Sequence, residues 1–133
     1  MITTKTSITA EDLFYPKSVP YDKGYLDVGD GHQLFYQQIG NPNGIPVLLV
    51  HGGPGGGIEA GGRITRLHDP HHFRIIAVDQ RGCGLSKPHV AKDTGKALHH
   101  NTPQKLSDDF EKIRIHLNIS AWHLYGYSWG SCL

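Results

Sequence analysis

The chain has 133 residues, a length typical of a single domain, and its 13 basic and 12 acidic side chains give a formal net charge of +1. This balance argues against nucleic acid or an anionic membrane as a partner, and no apolar run is long enough to span a bilayer. The two cysteines, Cys83 and Cys132, form neither a metal-binding nor a redox spacing, so we expect a cytoplasmic protein without a bound metal.

The first predicted element is a β-hairpin, which follows an irregular arm over residues 1–19. Extended runs at 24–28 and 32–39 flank Asp30-Gly31, a dipeptide that favours a tight turn between two strands. We therefore expect residues 20–133 to belong to a single domain, with the hairpin at its start.

Three continuous apolar segments predict buried strands, and a helix is predicted before the last of them. The strands cover 46–50, 73–78 and 121–125. Residues 58–67 predict a short helix and 85–101 a loop, and Thr102 followed by Pro103 predicts the start of a helix over 103–118. Alternating strands and helices are typical of an α/β fold with a parallel sheet covered on both faces.

A short motif follows the last predicted strand directly. Gly126-Tyr127-Ser128-Trp129-Gly130 matches the pattern G-x-S-x-G. In such an elbow the serine sits on a sharp bend with its hydroxyl exposed at the carboxyl end of the sheet, and the glycines leave room for the chain to double back. We expect Ser128 to be a nucleophile and the backbone N–H of Trp129 to stabilise an oxyanion.

The sequence HGGPGGG, residues 51–57, is the second candidate part of the site. A tetrahedral intermediate needs a second N–H donor, which usually comes from the loop after an earlier strand. We assign this donor to Gly53, with Gly52 as the alternative. The other residues expected to shape the loop are His51, Pro54 and Gly55. We expect a structural role for His51, because in hydrolases of this build the catalytic histidine follows the serine in chain order.

The same loop also fits the outline of a dinucleotide-binding fingerprint. Gly55-Gly56-Gly57-Ile58-Glu59-Ala60 reads G-x-G-x-x-A, and Asp79 ends the next strand. These glycines do not follow their strand directly, however, and this interpretation leaves the serine elbow unexplained. We therefore expect no nicotinamide or other cofactor.

Three motifs together resemble the proline iminopeptidases, also called prolyl aminopeptidases, which are serine peptidases of the α/β-hydrolase fold. The motifs are HGGPGGG at 51–57, VDQRGCGLS at 78–86 and YGYSWGS at 125–131. The resemblance implies an α/β-hydrolase fold in which a hairpin and parallel strands with covering helices lead to the nucleophile elbow. It also implies release of N-terminal proline from small peptides. Residues 79–84 would shape the floor of the site, and within them we expect structural roles for Asp79 and Arg81.

The resemblance further implies that the chain is the amino-terminal portion of a longer enzyme. In this fold the triad runs serine, acid, histidine in chain order, so both partners of Ser128 would follow it, together with the cap. We expect the 133-residue chain by itself to be inactive, because a serine without a base is a weak nucleophile. The alternatives are an esterase, lactonase or amidase that uses the same elbow, and a non-catalytic product. The sequence does not predict the oligomeric state.

Overall fold

The centre of the computed structural model, which describes residues 7–59 and 61–133, is a mixed five-stranded sheet. Residues 1–6 of the predicted arm and Ala60, the last position of the dinucleotide fingerprint, lie outside the described residues. The strands are β1 (Asp22–Gly29), β2 (His32–Gly40), β3 (Ile45–Val50), β4 (Phe73–Val78) and β5 (His123–Gly126). Their order across the sheet is β1-β2-β4-β3-β5.

The predicted hairpin is confirmed. β1 and β2 pair antiparallel, with Tyr25 opposite Phe35. The two turn residues, Asp30 and Gly31, have φ values of 56° and 79°. Positive φ at both positions is typical of the two-residue turns that match the right-handed twist of a hairpin, and this is why Asp-Gly marked the turn in the sequence.

The three predicted apolar strands pair in parallel, with β3 between β4 and β5. Their last residues lie in one row, because Val50 is opposite both Val78 and Gly126. The segments that leave these strands therefore emerge side by side at one edge of the sheet. This register is the reason that the three sequence motifs meet in space.

Two helices lie between β4 and β5: α1 (Thr94–Leu98) and α2 (Pro103–His116). α2 begins as predicted, because the side chain of Thr102 accepts a hydrogen bond from the backbone N–H of Lys105 at 3.3 Å. The helix ends two residues earlier than predicted. Asn118 has a φ of 53°, a left-handed conformation that does not continue a helix.

The prediction of a loop over 85–101 was wrong in its second half, because α1 lies there. The side chain of Asp93 accepts a hydrogen bond from the backbone N–H of Lys96 at 3.0 Å and so caps the helix. A five-residue helix that contains Gly95 has too little periodic pattern to be recognised in the sequence.

The helix predicted over 58–67 was also wrong, because the described residues of this segment, 58–59 and 61–67, contain no α-helix and form a 3-10 turn at Arg63–Arg66. Gly61 and Gly62 precede this turn, and Gly61 has a φ of 76°. Glycine is a poor helix former, and a positive φ is incompatible with a right-handed helix. The apolar residues in this segment therefore cover the sheet from a loop.

The two faces of the sheet are covered differently, although helices were predicted on both. α2 packs on one face through Phe110 and Ile113. The other face is covered by Ile58 and Ile64 of the segment between β3 and β4. No helix in the described part of the chain is long and apolar enough to cross a membrane.

Candidate active site

Ser128 lies on a sharp bend at the carboxyl end of β5. Its φ is 52°, in the left-handed region that a serine rarely adopts, and it begins a 3-10 turn over Ser128–Ser131. The residue is exposed to solvent. A strained, exposed serine after a parallel strand is the geometry that the G-x-S-x-G motif predicts.

The two glycines of the motif allow the backbone to pack closely around this bend. A Cβ atom on Gly126 would collide with the carbonyl oxygen of Gly130. A Cβ atom on Gly130 would collide with the carbonyl oxygen of Val50 and lie 2.8 Å from that of His51. The obstructing atoms are backbone, which cannot move aside without shifting β3 or the bend itself.

We expect Gly130→Ala to lower the free energy of unfolding by about 2 kcal/mol, because the new methyl group must displace the end of β3. Urea denaturation followed by circular dichroism measures this change. Gly95→Ala is the matched control, since a Cβ atom there has only Asp93 Oδ1 nearby, at 3.8 Å. Equal midpoints for the two variants would show that the bend is not closely packed.

The loop of residues 51–57, called the glycine loop below, lies directly against the elbow. A Cβ atom on Gly52 would lie 3.0 Å from Ser128 Cβ and 3.2 Å from the carbonyl oxygen of Tyr127. The next glycine, Gly53, has a φ of 126°, which only glycine adopts readily. The fold thus brings the glycine loop, through Gly52, into close contact with the bend that carries Ser128.

His51 is buried at the base of this loop and both of its ring nitrogens have partners. Nδ1 lies 2.8 Å from the carbonyl oxygen of Gly52, and Nε2 accepts a hydrogen bond from the backbone N–H of Gln80 at 3.0 Å. The side-chain amide of Gln80 in turn donates to the carbonyl oxygen of His51 at 2.8 Å. With Nε2 an acceptor, Nδ1 carries the proton, so the ring is neutral. These contacts tie the glycine loop to the segment after β4.

Burial lowers the pKa of His51 below its ordinary value of 6.5, against the smaller opposing effects of its bond to Gly52 and of the Asp79 carboxylate. The unfolded chain therefore binds a proton more readily than the folded chain, so we expect stability to fall as the pH drops below 6.5 toward the folded-state pKa. Urea midpoints between pH 5 and pH 8 test this. The urea midpoint of His51→Gln should depend less on pH, because the other histidines contribute equally in both proteins. Parallel plots of midpoint against pH for the two proteins would contradict the lowered pKa of His51.

Asp79, which directly follows β4, connects the end of the glycine loop to the loop after β4. Oδ1 accepts a hydrogen bond from the backbone N–H of Ile58 at 2.7 Å, and Oδ2 accepts one from that of Leu85 at 2.8 Å. Ser86 adds a further link, because its hydroxyl donates to the carbonyl oxygen of Asp79 at 2.6 Å and accepts from the backbone N–H of Phe35 at 2.9 Å. Asp79 thus connects the backbone at Ile58 to the backbone at Leu85.

Arg81 connects the loop after β4 to α2 and to the hairpin. Its fully buried guanidinium forms a two-point ion pair with Asp109, with distances of 2.6 and 2.9 Å. It also donates to Asp30 at the hairpin turn, at 3.0 Å, and to the carbonyl oxygen of His100 at 3.2 Å. The cations Lys105 and Arg81 lower the pKa of Asp30 to about 2. Arg81 therefore holds together three elements that are distant in sequence.

Sequence reasoning included Gln80 only as part of the segment 79–84 expected to shape the floor of the site, and it assigned no role to Ser86 or Asp109. A signal was present for Asp109, which lies at the edge of the apolar face of α2, three residues after Leu106 and four before Ile113. A carboxylate on the buried side of a helix requires a partner, and the partner is Arg81. Gln80 and Ser86 had no comparable signal, because loop residues have no periodicity from which burial can be predicted.

No side chain of residues 7–59 and 61–133 makes a hydrogen bond to Ser128 Oγ. The nearest histidine in the sequence, His123, lies five residues earlier on β5 and is exposed. His51 is already bound through both nitrogens. The described part of the chain therefore presents an exposed serine hydroxyl beside a glycine loop, and no side chain in that part of the chain is in position to accept the hydroxyl proton.

Comparison with known proteins agrees with this geometry. A family model described as the alpha/beta hydrolase fold matches residues 45–133, and the chain belongs to that family. The five-stranded sheet and its elbow are the corresponding part of the fold, so the predicted fold class is confirmed.

Within the family the chain is similar to proline iminopeptidases, which confirms the resemblance seen in the motifs. It is 47% identical over 119 residues to the proline iminopeptidase of Xylella fastidiosa strain Temecula1 and 43% identical over 129 residues to that of Arabidopsis thaliana. These alignments cover 90% and 97% of this chain but 36% and 32% of the relatives. The crystal structure of proline iminopeptidase from Mycobacterium smegmatis superposes with a TM-score of 0.62 at 28% identity, over 84% of this chain and 37% of that one. The chain thus spans about a third of the length of its relatives.

Proposed function

We propose that this chain supplies the nucleophile and the oxyanion site of a serine aminopeptidase that releases proline from the amino terminus of small peptides. One observation carries the proposal: Ser128 sits exposed at a φ of 52° against the glycine loop of the neighbouring parallel strand. The similarity to proline iminopeptidases supports the choice of substrate.

In the proposed reaction Ser128 Oγ attacks the carbonyl carbon of the N-terminal proline. The carbonyl oxygen becomes an oxyanion, which accepts hydrogen bonds from the backbone N–H groups of Trp129 and Gly53, with Gly52 as the alternative donor. The amine of the next residue takes up the proton that Ser128 has lost and departs, which leaves a prolyl ester on Ser128. Water then hydrolyses that ester, which releases proline and restores the serine hydroxyl. Backbone donors on two braced loops need little rearrangement as the charge develops, and this is the contribution that the described residues make to the rate.

The hydroxyl proton of Ser128 needs an acceptor. We propose that this base lies outside the described residues, in another part of the full-length protein, by which we mean the product of the whole gene. We further propose a cytoplasmic enzyme that needs neither metal nor cofactor and has neither nucleic acid nor membrane as a partner. The unpaired state of both cysteines and the near-zero formal charge support this setting.

The experiment measures hydrolysis of proline amides and of short acyl esters by the full-length protein. It also measures fluorophosphonate labelling of the full-length protein and of the 133-residue chain. We expect cleavage of N-terminal prolyl amides in preference to the esters, and slow labelling of Ser128 in the 133-residue chain. A preference for esters would favour the esterase alternative. Rapid labelling of the 133-residue chain that is lost in Ser128→Ala would show that it contains its own base.

A further inference from the structure

Gln80 contacts the start of the glycine loop at two points, once through its side chain and once through its backbone. It follows Asp79 in the loop after β4 and is buried. Its side-chain amide donates to the carbonyl oxygen of His51 at 2.8 Å, and its backbone N–H donates to Nε2 of the His51 ring at 3.0 Å. The first bond therefore holds a peptide group of the loop, and the second holds a side chain.

The side-chain bond determines the direction of one backbone N–H group. The peptide bond between His51 and Gly52 is trans. In a trans peptide the C=O and N–H groups lie in one plane and point in opposite directions. Holding the His51 carbonyl oxygen therefore directs the N–H of Gly52 away from Gln80. Gly52 is also the residue that contacts the elbow, because a Cβ atom on it would lie 3.0 Å from Ser128 Cβ.

The backbone bond acts on the next N–H group through the histidine ring. Because Nε2 accepts from Gln80, the proton of the neutral His51 ring lies on Nδ1. Nδ1 lies 2.8 Å from the carbonyl oxygen of Gly52 and donates to it. The peptide bond between Gly52 and Gly53 is also trans, so the N–H of Gly53 points away from the ring. Gly56 packs against the same carbonyl oxygen, which a Cβ atom on Gly56 would approach to 2.7 Å.

The N–H groups of Gly52 and Gly53 are both available to a ligand. Neither has a hydrogen-bond acceptor among residues 7–59 and 61–133. The carbonyl oxygen of each of these two peptide groups, by contrast, is held by a side-chain donor. A peptide group with a fixed oxygen and an unused N–H is a preorganised donor, and such donors stabilise developing negative charge without reorienting.

We infer that Gln80 is a positioning residue for the oxyanion site. It directs the N–H of Gly52 through its side chain and the N–H of Gly53 through the His51 ring. The oxyanion that these groups would bind rests on the proposed function. Gln80 itself touches no reacting atom, and the donors that it directs act on charge that develops only in the transition state. Its loss should therefore lower kcat and leave KM nearly unchanged.

The test compares Gln80→Met with Thr65→Val in the full-length protein. Gln80→Met keeps the length of the side chain and the backbone N–H, and it removes the donor to the His51 carbonyl oxygen. Thr65 is also buried, and its hydroxyl donates to the carbonyl oxygen of Gly62 at 2.8 Å. Thr65→Val therefore removes a similar bond from a segment outside the glycine loop.

We expect Gln80→Met to lower kcat for prolyl amides about 10–100-fold, with KM changed by less than about twofold, because a misdirected donor costs less than a missing one. Thr65→Val should keep both constants. An unchanged kcat for Gln80→Met would overturn the inference. A loss of kcat in both variants that follows their urea midpoints would also overturn it, because the effect would then come from lowered stability.

The His51 ring provides a second pair of variants. Asparagine at this position can hold an N–H group near the place of Nδ1, whereas leucine cannot. We expect His51→Leu to lower kcat about 10–100-fold at a nearly unchanged KM, and His51→Asn to recover most of this loss. Equal kcat values for the two variants would overturn the role of the ring in directing Gly53.

Fluorophosphonate labelling of Ser128 distinguishes this inference from the proposed function, because the phosphoryl oxygen would use the same backbone donors whatever the natural substrate. If the full-length protein is labelled but cleaves no prolyl amide, the proposed function fails, and slower labelling of Gln80→Met still supports the inference. If prolyl amides are cleaved and Gln80→Met reacts at the unaltered rate, the proposed function stands and the inference fails. Absence of both reactions in the unaltered protein would overturn both.

Discussion

Replacing Ser128 with alanine is expected to lower the kcat/KM of the full-length protein for N-terminal prolyl amides by about 10⁴–10⁶-fold. The substitution removes the atom that forms the covalent ester, and the remaining rate comes from the oxyanion donors and from binding. The bend itself should remain, because alanine also has a Cβ atom and the glycines around it are unchanged. Steady-state hydrolysis of a proline amide measures the effect.

The matched control is Ser120→Ala, another exposed serine, which lies in the loop before β5. It should keep the activity of the unaltered protein. A second variant, Ser128→Gly, should be equally inactive but about 1 kcal/mol more stable, because glycine relieves the positive φ of 52°. Substantial prolyl-amide hydrolysis by Ser128→Ala would rule out Ser128 as the nucleophile.

The second large effect is expected at the buried ion pair of Arg81 and Asp109. Arg81→Met should lower the free energy of unfolding by about 3–5 kcal/mol, because it leaves the fully buried Asp109 carboxylate without its principal partner. The double variant Arg81→Met/Asp109→Leu should recover much of this loss, since it removes both charges. Urea denaturation of Arg81→Met, Asp109→Leu and the double variant measures the coupling.

An exposed ion pair on the same helix provides the control. Glu111 accepts hydrogen bonds from Arg114 on the outside of α2. Removing the Glu111 carboxylate should change the urea midpoint only slightly. Strictly additive losses for Arg81→Met and Asp109→Leu would show that the buried pair does not act as a unit. Because Arg81 also reaches Asp30, its loss should loosen the hairpin as well, seen as faster hydrogen exchange in β1.

Local patterns predicted most of the elements in this chain. Asp30-Gly31 marked the hairpin because few other residues adopt two successive positive φ values. The continuous apolar runs marked β3 and β4 because both faces of these strands are covered. The short helix α1 and the 3-10 turn at Arg63–Arg66 were mispredicted, since glycine and short length make local preference weak there.

By itself the sequence determined that a serine elbow and a glycine loop would each follow a parallel strand, since glycines at these positions indicate close backbone contacts that a Cβ atom would prevent. Only the tertiary structure decided how these loops are held. The pairing of Arg81 with Asp109 and Asp30, the neutral ring of His51, and the bond from the Gln80 side chain to the His51 carbonyl oxygen each join residues that are far apart in the chain. Contacts of this kind depend on three-dimensional packing, which leaves no periodic trace in the sequence.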